Sequence, residues 1–180
     1  DTLHAAVLAG DAPAVRRMLA SGGFDANAAE PASGHDLPPL HLAAMVCCTD
    51  PPDVVEALLD FGADAVSALS GDGYGALHYA AMGRDCAAVA GALLRAGAPV
   101  GLRSGEDAWT PLHLAAQAGT GAVAAALLAA GAEVDAPAAD GATPLSFALA
   151  LDNEAVAGEL ALAGADERRA DTLWGMDESE

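Results

Sequence analysis

One short string, Leu112-His113-Leu114-Ala115-Ala116, returns along this chain at nearly constant spacing, and that recurrence leaves few architectures open. Anchored on the leucine, the other copies are Leu3-His4-Ala5-Ala6, Leu40-His41-Leu42-Ala43-Ala44, Leu77-His78-Tyr79-Ala80-Ala81 and a degenerate Leu145-Ser146-Phe147-Ala148. Successive leucines lie 37, 37, 35 and 33 residues apart. A period of this size belongs to chains built from stacked supersecondary units, each contacting mainly its neighbours, so a count of ordinary domains does not apply.

The stretch from Thr110 to Ala142 shows what one unit is. Thr110 can cap a helix through its hydroxyl, and Pro111 suits the first helical position, where a missing N–H costs nothing. Leu112, Ala115 and Ala116 give that helix an apolar face, and Gly119 supplies the left-handed residue that ends it. Val123, Leu127 and Leu128 form the apolar face of a second helix, closed by Gly131. A loop containing Pro137, Asp140 and Gly141 then returns the chain to Thr143-Pro144-Leu145, where the pattern restarts.

The motif Thr110-Pro111-Leu112-His113-Leu114-Ala115-Ala116, with its period, resembles the ankyrin repeat. The resemblance implies an all-α repeat solenoid of stacked helix-turn-helix ankyrin repeats joined by β-hairpin-like finger loops. Repeats are expected near 1–35, 36–72, 73–107, 108–140 and 141–166, the first and last being atypical caps, with an acidic C-terminal tail over 167–180. The chain opens at Asp1 inside a repeat without a signal peptide, as a trimmed piece would.

Hydrophobic residues make up 53% of the chain and aromatics only 4%, so the core must be built of alanine, leucine and valine between closely spaced helices. No apolar run is long enough to cross a bilayer. The formal charge is −19, from 26 acids against 7 bases, all of them arginine. Phosphate backbones and anionic membrane surfaces are bound by neutralising lysines and arginines, so neither nucleic acid nor membrane is expected as a direct partner. Acids keep an alanine-rich surface soluble, or they face a basic partner.

Several stretches depart from the repeat. Residues 29–39 form a longer, exposed finger, and the segment from Cys47 to Asp53 inserts between the helices of repeat two, with Asp53 able to cap the second helix. Repeat three has Gly75-Ala76 in place of threonine and proline. Repeat five has Ser146 for the histidine and Asp152 for the glycine. Leu173, Trp174 and Met176 in the tail either fold back over the last repeat, serve as a docking peptide or stay disordered.

Four histidines, His4, His41, His78 and His113, share one slot, and the resemblance implies that their rings bridge backbone groups of neighbouring repeats. Only His35 lies outside it. Cys47 and Cys48 are adjacent and Cys86 stands apart, which matches no redox pair or zinc spacing and fits an intracellular, reducing compartment: cytoplasm, nucleus or plastid. Gly71-Asp72-Gly73-Tyr74-Gly75 lacks the spacing and the lysine of a phosphate loop, and Asp72 would repel phosphate. With no catalytic motif in the chain, no enzyme, metal or cofactor is expected.

The remaining surface is the finger tips and the concave face of the first helices. Alignment on the leucines puts Leu37, Tyr74, Trp109 and Ala142 in one slot, three residues before each anchor, with Tyr74 and Trp109 expected side by side. Asp36, Asp72, Glu106, Asp107 and Asp140 surround them, and Met45, Met82 and Gln117 follow on the concave helices. An aromatic in this slot either packs on the next finger or anchors a partner within a charged rim. The expected function is a non-enzymatic protein–protein interaction module, adaptor or chaperone-like, binding a basic segment of another protein. The alternative is a regulatory or targeting domain whose catalytic part lies outside this sequence.

Overall fold

In the computed structural model, which describes residues 2–29, 37–46, 52–67, 69–83 and 86–171, each expected unit folds as a pair of packed helices. The pairs are α1 (Leu3–Leu8) with α2 (Ala12–Ala20), α3 (Pro39–Val46) with α4 (Asp53–Asp60), and α5 (Ala76–Met82) with α6 (Ala87–Arg95). They continue as α7 (Pro111–Ala118) with α8 (Gly121–Ala129), and α9 (Pro144–Ala150) with α10 (Glu154–Leu162), before a short α11 (Glu167–Asp171). The first helices pack in file, α1 on α3, α3 on α5, α5 on α7 and α7 on α9, and the second helices form a parallel file from α2 to α10. Residues 167–171 of the expected tail are thus helical, and α11 packs on α9 with Ala170 buried.

The five anchor leucines are all buried, Leu112 completely. Ala44, Ala81 and Ala116 are buried beside them, and their small side chains let neighbouring first helices approach closely. Short polar side chains stitch consecutive units where the two helices of a pair meet. The Thr120 hydroxyl donates to the Ala81 carbonyl (3.3 Å), and the Asn153 amide donates to the Ala116 carbonyl (2.7 Å), so a carbonyl at the open end of α5 and of α7 is satisfied by the following repeat.

Two helix starts differ from expectation. The Thr110 hydroxyl, expected to cap α7, lies against Nδ1 of His113 (2.9 Å), while the Thr110 N–H donates to that same nitrogen (3.1 Å). Where Ser146 replaces the histidine, the threonine does cap, because the Thr143 hydroxyl accepts the Ser146 N–H (3.3 Å). Asp53 is not the cap of α4: it occupies the first helical position behind Pro52, which has no side chain able to cap. Residues 47–51 of the Cys47–Asp53 insertion lie outside the described residues.

Gly75 stands where repeats four and five have Thr110 and Thr143, and what packs there explains the difference. A Cβ there would lie 2.8 Å from Leu102 Cδ2, so the side chain that normally starts the helix has been exchanged for a leucine from the next finger.

The fingers contain no strand among the described residues. Three of them share one reversing backbone bond: Ser70 N–H to the Tyr74 carbonyl, Ser104 N–H to Trp109, and Ala138 N–H to Ala142, all at 2.8 Å. The residue just before Tyr74, Trp109 and Ala142 is left-handed in all three, Gly73 at φ 77°, Ala108 at φ 54° and Gly141 at φ 89°. Ala108 alone carries a Cβ in that conformation, which costs an L-residue about 1–2 kcal/mol. Glycine's larger unfolded-state entropy takes back about 0.4–1 kcal/mol. Ala108→Gly should therefore raise stability by about 0.5–1 kcal/mol, seen as a higher denaturant midpoint with unchanged slope; a lower midpoint would show that the methyl contributes packing that outweighs the strain.

Candidate functional site

Two recurring contacts help to hold the fingers in file. The first is the histidine slot. His78 accepts the Gly75 N–H at Nδ1 (3.1 Å), which leaves Nε2 protonated to donate to the Trp109 carbonyl (3.0 Å). His113 does the same between the Thr110 N–H and the Ala142 carbonyl (3.1 Å), and His4 reaches the Leu37 carbonyl (2.9 Å). The slot thus supplies, at Leu37, Trp109 and Ala142, the carbonyls that receive the preceding repeat's histidine. For His78 and His113 burial is the largest influence, pushing His78 down to about 4 and His113 down in the same direction.

The second contact joins the finger tips. Gly105 N–H donates to the Asp72 carbonyl (3.1 Å), and Ala139 N–H to the Asp107 carbonyl (2.9 Å). At the first of these junctions a Cβ on Gly73 would fall 2.8 Å from the Gly105 nitrogen, so backbone meets backbone with nothing between.

On this frame Asp72, Asp107 and Asp140 occupy one position, five residues before each anchor, on three consecutive fingers, and all are exposed, as is Glu106. Asp72, Glu106 and Asp107 form no ion pair among the described residues. The Asp140 carboxylate is partly committed, since it accepts the Ala142 N–H of its own turn (2.9 Å). Arg103 is the one base in the sequence of these three fingers, and it donates to the Pro137 carbonyl (2.5 Å).

The two aromatics occupy consecutive fingers but do not stack on one another. Tyr74 lies 5.1 Å from His78 and edge-on to Tyr79 at 6.0 Å. Burial first, and then the Asp107 carboxylate, push its phenol above the ordinary value, against a hydrogen bond to the Ser104 side chain. Trp109 sits edge-on to Phe147 at 5.3 Å, and Phe147 in turn meets His113. Each ring is half-buried against a first helix, so the residues that the alignment did not single out are Tyr79 and Phe147. Both stand two residues after an anchor leucine, a regularity visible in the sequence.

Along the ends of the first helices, Met45 is half-buried while Met82 and Gln117 are exposed; Leu37 is half-buried at the start of its helix. Asp36 and His35 lie outside the described residues. Among the described residues no group of histidine, cysteine or acid side chains is placed to hold a metal ion, and no helix is long and apolar enough to cross a membrane.

A family model for ankyrin repeats, three copies long, matches residues 3–103 and again residues 77–171. No curated protein matches the chain.

Proposed function

The chain belongs to the ankyrin-repeat family, a fold of protein–protein interaction and not of catalysis, and from that premise we propose that it is an adaptor or chaperone-like module that binds a basic segment of another protein. The observation that carries this reading is the repeated aspartate of three consecutive fingers, Asp72, Asp107 and Asp140, beside Glu106 and opposed in sequence by Arg103 alone. A row of like charge at fixed pitch raises the local concentration of a cationic segment and speeds its encounter. Tyr74 and Trp109 offer the half of each ring that is not packed, with Leu37, Met45, Met82 and Gln117 along the helix ends.

The test is a salt series of association and dissociation rates with an arginine-rich peptide. Neutralising Asp72, Glu106 and Asp107 should slow association and flatten its salt dependence, with little effect on dissociation. Trp109→Ala should speed dissociation, costing about 2 kcal/mol of binding if the ring is an anchor. Because Trp109 also packs on Phe147, the variant's unfolding must be measured alongside, and binding compared well below its transition. Unchanged affinity in the Tyr74→Ala, Trp109→Ala double variant would move the site off the fingers.

A further inference from the structure

At the C-terminal end of the array, α9, α10 and α11 leave an open groove of about 440 Å³ lined by Leu145, Leu149, Ala157, Gly158, Ala161 and Glu167. In the repeat before it, the corresponding faces are covered, α7 by α9 and α8 by α10. On the last repeat α11 packs on α9, yet Leu149, Leu151 and Leu162 remain 50%, 49% and 86% exposed. Two residues widen the groove. Counted back from the closing glycines Gly131 and Gly164, Ala161 stands where repeat four has Leu128, and Gly158 stands where it has Ala125. A Cβ added at Gly158 would meet no atom within 4 Å. Nothing described requires a glycine there, although glycine inside a helix costs about 0.5–1 kcal/mol relative to alanine.

We propose that this groove is the seat of the chain's own segment 172–180, with Leu173, Trp174 and Met176 taking the place that a sixth repeat would fill. Continuity supports it: α11 ends at Asp171, one turn beyond Glu167, which lines the groove, so the segment starts at the rim. Chemistry supports it as well. Leu173, Trp174 and Met176 are the apolar group that follows the repeats, and an indole is the bulky, flat side chain that a wall of alanine and glycine accommodates. Charge agrees: Asp177, Glu178 and Glu180 follow the apolar group, and the only bases after Arg103 are Arg168 and Arg169, both on α11. The segment then acts as a stopper that covers apolar surface otherwise open to a second molecule.

The chain has two tryptophans, so Trp109→Phe leaves Trp174 as the single reporter in the full chain. Its emission should be blue-shifted relative to the same chain in denaturant, and acrylamide quenching several-fold weaker. Leu149→Asp and, separately, Ala161→Glu place a charge in the groove at exposed positions, so the helical circular dichroism signal is kept while the emission shifts red and quenching rises toward the denatured value. A Trp174 that emits and quenches as in denaturant before any groove substitution would overturn the proposal. Shielding that survives both substitutions would place the segment elsewhere, and shielding that fades on dilution would assign the groove to a second copy; either result also refutes it.

Discussion

Leu112→Ala is expected to lower the free energy of unfolding by about 2–5 kcal/mol, the range for deleting a fully buried leucine. The upper half of that range is the better expectation. Leu112 has no exposed surface, and its helix is held on both sides, by α5 and by α9, so the space left behind has no loose element to collapse into it. The loss should also reach beyond repeat four. Solenoid stability is a sum of unit and nearest-neighbour terms, so weakening the fourth unit uncouples the C-terminal end from the rest. Denaturant melts should show a lower midpoint and a broader transition. A loss under about 1 kcal/mol would mean that Leu112 is not an anchor of the core.

Acidification should destabilise the array through its buried histidines. Burial pushes His78 down to about 4 from an ordinary 6.5, and neighbouring His41 and His113 push it the same way. Its folded form therefore stays neutral where the unfolded chain takes up a proton. The stability it contributes is complete above about pH 6.5 and is lost as the pH falls toward 4, by about 3 kcal/mol in all at 1.36 kcal/mol per unit. His113 is shifted in the same direction and adds to the loss. The clean measurement is the difference between the parent and His78→Gln, melted in urea at several pH values, because the general effect of titrating 26 acids cancels between them. The parent should be the more stable at neutral pH, and the gap should narrow as the pH falls. A gap that stays constant would show that the ring is not buried in its neutral form.

Much of this fold can be read from the chain because each repeat writes its local rules in short strings. The leucine and histidine slots, the glycines that end helices and the loop that returns to the next anchor all depend on residues within one period. What the strings do not carry is the geometry across periods. The sequence has Gly75-Ala76 in place of threonine and proline without showing why; the structure has the Leu102 side chain from the next finger in the space a threonine would need. Tyr74 and Trp109 were rightly placed on consecutive fingers, but alignment gives a slot and not a direction, and each ring turns toward a first helix. A threonine before a helix reads as a cap in the sequence, but the imidazole three residues on accepts the Thr110 N–H at Nδ1 and lies 2.9 Å from the hydroxyl. For the candidate surface, the periodic aspartates were visible as acids near finger tips. Their shared position, five residues before each anchor, is a regularity of the sequence; the tip-to-tip bonds that join their fingers are not.

The junction of Gly73 with Gly105 bears on how the repeats are spaced along the array. Along the helix files, repeats are spaced by side chains, whereas at this junction two peptide groups touch directly. An array curves toward whichever edge is held shorter, so the bare contact works as a hinge pin, and a methyl at Gly73 would work as a wedge. The bend of the scaffold can therefore be altered at one exposed edge, without disturbing any leucine that holds the repeats together.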